Sequence, residues 1–232
     1  MGLREEEYLE DIIEWDIRHW SKSLNYWREK TSVSLENSNG LEIGSRNGGL
    51  SLWLAANGCK VICSDVEGPT ERAKELHERH GLSDRIKYHS INATEIPYED
   101  DCFDIVIFKS VLGGIGANDN HAAQIKALKE IHRVLKPGGE LFFAENLTAS
   151  PMHRLLRKRF VSWGNAWRYI TIQEMKDLLQ GFSKTDYFST GFFSNLGRTE
   201  KQRNLLATID DLLVNRIVPE QWRYIVIGVA KK

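Results

Sequence analysis

A chain of 232 residues with 41% hydrophobic content is long enough to bury a substantial core, most simply as one domain. Lys plus Arg total 31 against 32 for Asp plus Glu, a formal charge of -1 that gives no support to a nucleic-acid footprint spread over the surface. The three cysteines, Cys59, Cys63 and Cys102, are odd in number and lack zinc-site spacing, which points to buried thiols in a reducing compartment rather than a disulfide scaffold.

The opening residues are too acidic and too broken by charge for a signal peptide, and no apolar run reaches transmembrane length, so a cytoplasmic protein is expected. Leu9, Ile13, Ile17, Trp20, Leu24 and Trp27 recur at three- and four-residue steps, the stripe of one packed helix or two short ones. Trp20, Tyr26 and Trp27 belong to that packing or cover a ligand. Strands then alternate with helices: strand Leu41–Ile43, helix Gly49–Asn57, strand Cys59–Ser64, helix Thr70–His80 and strand Ile86–Ser90. The strand Phe103–Phe108 and a helix from about His121 to Leu135 come next. Lys136-Pro137-Gly138-Gly139 ends that helix and turns the chain into strand Glu140–Ala144. Unalternated apolar strands separated by amphipathic helices predict a parallel sheet covered on both faces. After Ser150 the rhythm breaks. An insertion runs to Tyr169, Thr171 and Glu174 form a capping box, and strands at about Lys184–Phe193 and Trp222–Ala230 flank a further helix, a pair suited to an antiparallel sheet edge.

The stretch Leu41–Gly58 reads as a buried strand, a tight glycine-containing turn and a helix start. Glycine lets the backbone approach a ligand, and the helix start points free N–H groups at the same place. Asp65, closing the second strand, is suited to accept hydrogen bonds from a ribose diol. The spacing from Gly44 to Gly48 fits the nicotinamide-binding pattern poorly, and no Gly-Lys-Ser/Thr triplet marks a P-loop. There is no His/Cys/Asp spacing for a metal.

Four segments, LEIGSRNGG, VICSDV, INATEIPYEDDCFDIVIFKSVL and LKEIHRVLKPGGELFFAE, give the chain its resemblance to class I S-adenosylmethionine-dependent methyltransferases of the small-molecule branch. The resemblance spans about Leu35 to Phe182. It implies a Rossmann-like α/β fold with a seven-stranded, mostly parallel sheet, helices on both faces and an antiparallel edge strand. It implies S-adenosylmethionine as cofactor, held by Glu42 and the loop Gly44, Ser45, Arg46, Asn47 and Gly48. Asp65 would take the ribose, Val66 and Asn92-Ala93 the adenine, and the backbone of Lys109 the methionine moiety. Arg46 stands where the family's middle glycine usually falls, so the resemblance implies that the backbone there does not need positive φ.

A hydroxyl acceptor would also need a base, for which His121 and Glu145 are the candidates. Gly113-Gly114 leaves room beside the methyl group. The whole chain, 1–232, reads as a single domain with an N-terminal helical cap over 1–34 and a lid-like insertion over 150–170. Within the insertion Arg154, Arg157, Lys158, Arg159 and Arg168 interleave with Leu155, Leu156, Phe160, Val161, Trp163 and Trp167, without an acid. That pattern fits a solvated helix face, a lid over a small anionic acceptor, or peripheral contact of 152–169 with anionic lipid; nucleic acid fits it less well. A noncatalytic protein that keeps the fold for cofactor binding or interaction is the second functional reading.

Overall fold

The computed structural model describes residues 3–160 and 166–232. Three short helices, α1 (Leu3–Ile13), α2 (Ile17–Trp20) and α3 (Lys22–Lys30), precede β1 (Asn39–Ile43), α4 (Gly49–Ala56), β2 (Lys60–Asp65), α5 (Glu71–Arg79) and β3 (Ile86–Ser90). Then come β4 (Phe103–Lys109), α6 (Leu112–Ile115), α7 (His121–Val134), β5 (Leu135–Asn146), α8 (Pro151–Phe160) and α9 (Ile172–Leu178). The chain finishes with β6 (Lys184–Thr190), α10 (Glu200–Ile209), α11 (Asn215–Ile217) and β7 (Ile225–Lys231).

The seven strands form one sheet in the order β3-β2-β1-β4-β5-β7-β6. β1 to β5 run parallel, with Leu41 beside Val106 and Ile62. β7 is antiparallel to both of its neighbours, and β6 lies outside it as the edge strand. Alternating strand residues feed two cores. Ile105, Ile107 and Phe142 face α1, α3 and α4, whereas Val106, Phe108 and Phe143 face α7 and α9. Both strand faces are therefore apolar, which is why these strands read as unbroken hydrophobic runs.

Local chemistry sets the helix boundaries. Thr70 caps α5, Asn120 caps α7, and Thr171 with Glu174 closes both arms of a capping box at α9. β5 begins at Leu135, five residues before the expected start. Leu135 pairs with Phe103 and the next pairing is Glu140 with Ile105, so the Lys136–Gly139 stretch bulges out of the ladder. The N-terminal stripe breaks between α1 and α2 because Glu14 and Asp16 adopt left-handed conformations, φ 70° and 45°. Trp20 and Trp27 are fully buried. Trp27 stacks on Phe142 at 5.9 Å and donates its indole N–H to the Gly228 carbonyl at 3.0 Å, so it is core and covers no ligand.

A buried polar cluster ties the first helices to the end of the chain. The Asp16 carboxylate accepts from the Ser194 hydroxyl at 3.1 Å and from the Tyr224 hydroxyl, and Ser194 Oγ lies 2.7 Å from His19 Nδ1. Asp210, at the start of a π-helical turn after α10, accepts the backbone N–H groups of Phe192, Phe193 and Ser194.

Candidate cofactor and acceptor site

The loop between β1 and α4 turns at Gly44 and Gly48, with φ of 65° and 77°. A side chain at Gly44 would put its Cβ 2.6 Å from a Val111 methyl, so only glycine lets the loop lie against the end of β4. Ser45 is buried, and its N–H donates to the Ser64 carbonyl at 2.8 Å, tying the loop to β2. The expectation for Arg46 is overturned. Its φ is 49°, a left-handed conformation that costs a non-glycine residue about 1–2 kcal/mol. Two hydrogen bonds hold it there: the Arg46 N–H donates to Asp65 Oδ2 at 3.0 Å, and its carbonyl accepts from the Thr70 hydroxyl at 3.2 Å. Its guanidinium points outward, with 72% of the side chain exposed, 3.9 Å from Glu14.

Asp65 thus closes β2 and fastens the loop. Its Oδ1 accepts the Val66 N–H at 2.8 Å, leaving each carboxylate oxygen one further lone pair. Val66 beside it is 61% exposed, an apolar surface turned to solvent at the mouth of the crevice. Ala93 is buried, but Asn92 departs from expectation: its Oδ1 accepts both the N–H and the hydroxyl of Thr94 at 2.9 Å. Both lone pairs serve that Asx turn, so the expected acceptance from an adenine amine is not available to this oxygen.

Glu42 is buried, and its Oε2 accepts the Ser51 N–H at 2.8 Å, capping the start of α4. Burial pushes its carboxyl up to about 7, against the lowering by Ser51, Leu50 and Lys109. Burial likewise draws the Lys109 ammonium down to about 8, while Glu14 and Glu42 favour its charged form. Lys109 Nζ donates to the Ile13 carbonyl at 2.6 Å. Asn47 donates its side-chain amide to Glu14. The α1–α2 elbow therefore sits over the glycine loop and the end of β4, and brings in Glu14, which sequence reasoning missed. Nothing at that position stands out locally; only the fold carries it to Asn47 and Arg46.

Neither expected base faces this crevice. Glu145 is fully buried, its Oε2 accepting the N–H groups of Val111 and Leu112 at 2.8 Å and its Oε1 that of Asn146 at 2.9 Å. It caps α6 and is spent on backbone, with its carboxyl pushed up to about 7 by burial. His121 lines a separate groove of about 390 Å3 between α7 and α9, with Leu128, His132 and Asp177. The room at Gly113 and Gly114 is filled: a Cβ on Gly113 would fall 1.6 Å from the Trp167 indole nitrogen. Arg168 N–H donates to the Gly113 carbonyl at 3.0 Å, so the insertion docks directly behind β4.

Beside it lies a cavity of about 660 Å3 lined by Arg154, Arg157, Lys158, Thr148, Trp167 and Tyr169. Arg157 is fixed, donating to the Leu147 carbonyl at 2.7 Å with its guanidinium 4.0 Å from the Tyr169 ring centre. Arg159 is exposed and outside that lining. Val161 and Trp163 lie outside the described residues. Among the described residues no helix is long and apolar enough to cross a membrane.

Residues 41–143 match the family described as methyltransferase domain. An uncharacterized protein of Haemophilus influenzae is 28% identical over 178 residues, 75% of this chain and 69% of that protein. A demethylmenaquinone methyltransferase of Clavibacter sepedonicus is 32% identical over 123 residues, 51% of this chain and 46% of its own length. The solved Haemonchus contortus phosphoethanolamine N-methyltransferase 2, in complex with phosphomonomethylethanolamine and S-adenosylhomocysteine, superposes with a TM-score of 0.64 at 17% identity, over 92% of this chain and 52% of that one. The chain thus spans about half the length of these last two proteins, and the structural likeness concerns the fold.

Proposed function

We propose that this chain is a class I S-adenosylmethionine-dependent methyltransferase and transfers a methyl group from that cofactor to a small-molecule acceptor carrying an anionic group. The observation that carries the reading is the left-handed loop Gly44–Gly48 fastened to Asp65, with exposed Val66 beside it and Lys109 opposite. When bound, the cofactor supplies an electrophilic methyl carbon on a positively charged sulfur.

Asp65 has lone pairs left for two ribose hydroxyls, Val66 offers an apolar face for adenine, and Ala93 backs the same side. The backbone of Gly44 and Lys109 borders the space for the methionine moiety. Glu42 acts from beneath, holding α4 at the angle the loop requires. Glu14 and Lys109 add one charge of each sign at that end, matching an ammonium and a carboxylate. On the acceptor side Trp167, packed on Gly113 and Gly114, excludes water from the carboxyl end of β4. Glu145 positions the Val111–Leu112 turn through the two N–H groups it accepts there. Alignment of the acceptor behind the methyl carbon supplies much of the rate in such a site.

The cations of the 660 Å3 cavity support an anionic acceptor, and the phosphate-bearing ligand of the Haemonchus enzyme fits the same choice. Free thiols at Cys59, Cys63 and Cys102 support a cytoplasmic setting. Calorimetric titration with S-adenosylhomocysteine tests the reading: one saturable site per chain is expected. A folded protein that binds none would favour a noncatalytic use of the fold instead.

A further inference from the structure

The cavity beside α8 has an unbalanced charge. Arg168 and Asp119 line it too, but Arg168 is neutralised, with Nε 3.0 Å from Asp119 Oδ1 and Nη2 2.5 Å from Glu174 Oε1. Arg154, Arg157 and Lys158 have no carboxylate partner among the described residues. Arg157 spends Nη1 on the carbonyls of Leu147 and Thr148, at 2.7 and 3.2 Å, and lies over Tyr169. Carbonyl oxygens and a ring face satisfy its geometry without cancelling its charge. Burial presses the guanidinium pKa down, as it does for a cation without a counter-ion. Arg154 and Lys158 stand four residues apart on one helix face and are exposed, so both side chains can swing toward the same point. Three cations thus border one space, and two are fork-shaped donors suited to oxyanions.

Thr148 follows the carboxyl end of β5, and Trp167 reaches across Gly113 and Gly114 behind the carboxyl end of β4. The cavity therefore lies beside the place where an open parallel sheet presents its reacting groups. A carboxylate would leave two of the three cations uncompensated, whereas a phosphate monoester carries roughly -1.5 to -2 at neutral pH.

Resting on the transferase reading above, we infer that this cavity binds a phosphoryl group of the acceptor, held by Arg154, Arg157 and Lys158. Arg157 is the preformed part of the site, and Arg154 with Lys158 closes on the ligand. The aromatic floor of Trp167 and Tyr169 takes the neighbouring apolar part of the acceptor and directs its nucleophile toward β4.

Calorimetry at low ionic strength with inorganic phosphate, using acetate as the competing anion class, tests the inference on the intact chain. Wild type is expected to bind phosphate at one saturable site, at least tenfold more tightly than acetate. Arg154→Ala with Lys158→Ala should weaken phosphate binding at least tenfold while S-adenosylhomocysteine affinity stays within twofold. Phosphate binding equal in the double variant and wild type, or absent from a protein that binds S-adenosylhomocysteine, overturns the inference and leaves the transferase reading intact. Sedimentation with phosphatidylglycerol vesicles separates two sources of the same group. Vesicle binding that phosphate displaces and the double variant lacks assigns the phosphoryl group to a lipid-borne acceptor. Saturable phosphate binding without vesicle binding assigns it to a soluble one.

Discussion

Arg46 shows how a single residue departs from the methyltransferase-like pattern around it while the loop keeps its left-handed turn. Glycine adopts φ of 49° freely; arginine does so here because Asp65 accepts its N–H and Thr70 bonds its carbonyl. Asp65 therefore shapes the loop, and in the proposed function it takes the ribose as well. Asp65→Ala should weaken S-adenosylhomocysteine binding by about 1–3 kcal/mol, the scale of leaving buried donors unpaired, as read by calorimetry on a variant shown to be folded. Unchanged affinity would remove Asp65 from cofactor recognition.

Glu42 and Glu145 make a prediction about pH. Burial raises both carboxyls to about 7 from 4.5. Between those values the folded chain holds protons that the unfolded chain has released, so stability falls as pH rises. The contribution is full below about 4.5 and is lost as pH passes through about 7, with an upper scale of about 3 kcal/mol for each group. Urea unfolding at pH 5.5 and pH 8 should therefore give a smaller pH difference for Glu145→Gln than for wild type, although the substitution leaves one backbone donor unpaired and lowers stability at both pH values. Equal pH differences would mean that Glu145 stays ionised throughout.

At the scale of elements, the sequence placed the strands and central helices to within a few residues because both sheet faces are apolar and the helices carry their own caps. It did not show the break at Glu14 and Asp16, since a helical stripe of Leu9, Ile13, Ile17 and Trp20 continues across it. Nor did it show what Gly113 is for. The residue reads as open space, yet it is the seat of Trp167. Gly113→Ala should displace that ring and loosen the insertion, destabilising the protein by about 1–3 kcal/mol as overpacking does. Faster cleavage within 150–170 in limited proteolysis, with S-adenosylhomocysteine affinity nearly unchanged, is the expected result. Wild-type proteolysis and stability would show that Trp167 repacks without cost.

At the scale of the whole molecule, the two ends of the chain are joined through buried polar groups. Asp16 and His19 from the elbow meet Ser194 and Tyr224 next to the carboxyl end of β5. Burial and the neighbouring Asp16 carboxylate raise the Tyr224 phenol well above its ordinary value, so it stays a neutral donor to Asp16. Tyr224→Phe removes that donor and leaves the carboxylate with fewer partners. A loss of about 1–3 kcal/mol is expected, seen as a lower urea midpoint with the slope unchanged. An unaltered midpoint would mean that the cluster does not hold the elbow down.

The sequence by itself determined the alternating α/β order, the glycine turn, the acid at the end of β2 and the resemblance those segments carry. These features are local: strand periodicity, turn residues and caps act over a few neighbours, and each leaves a mark in the order of residues. Tertiary structure alone decided which side chains share a space. Glu14 reaches Asn47 across 33 residues, Glu145 turns inward to Val111 across 34, and Trp167 lands on Gly113 from the far side of α7. Such meetings depend on strand order and helix packing, which fix distances between residues that carry no local trace of each other.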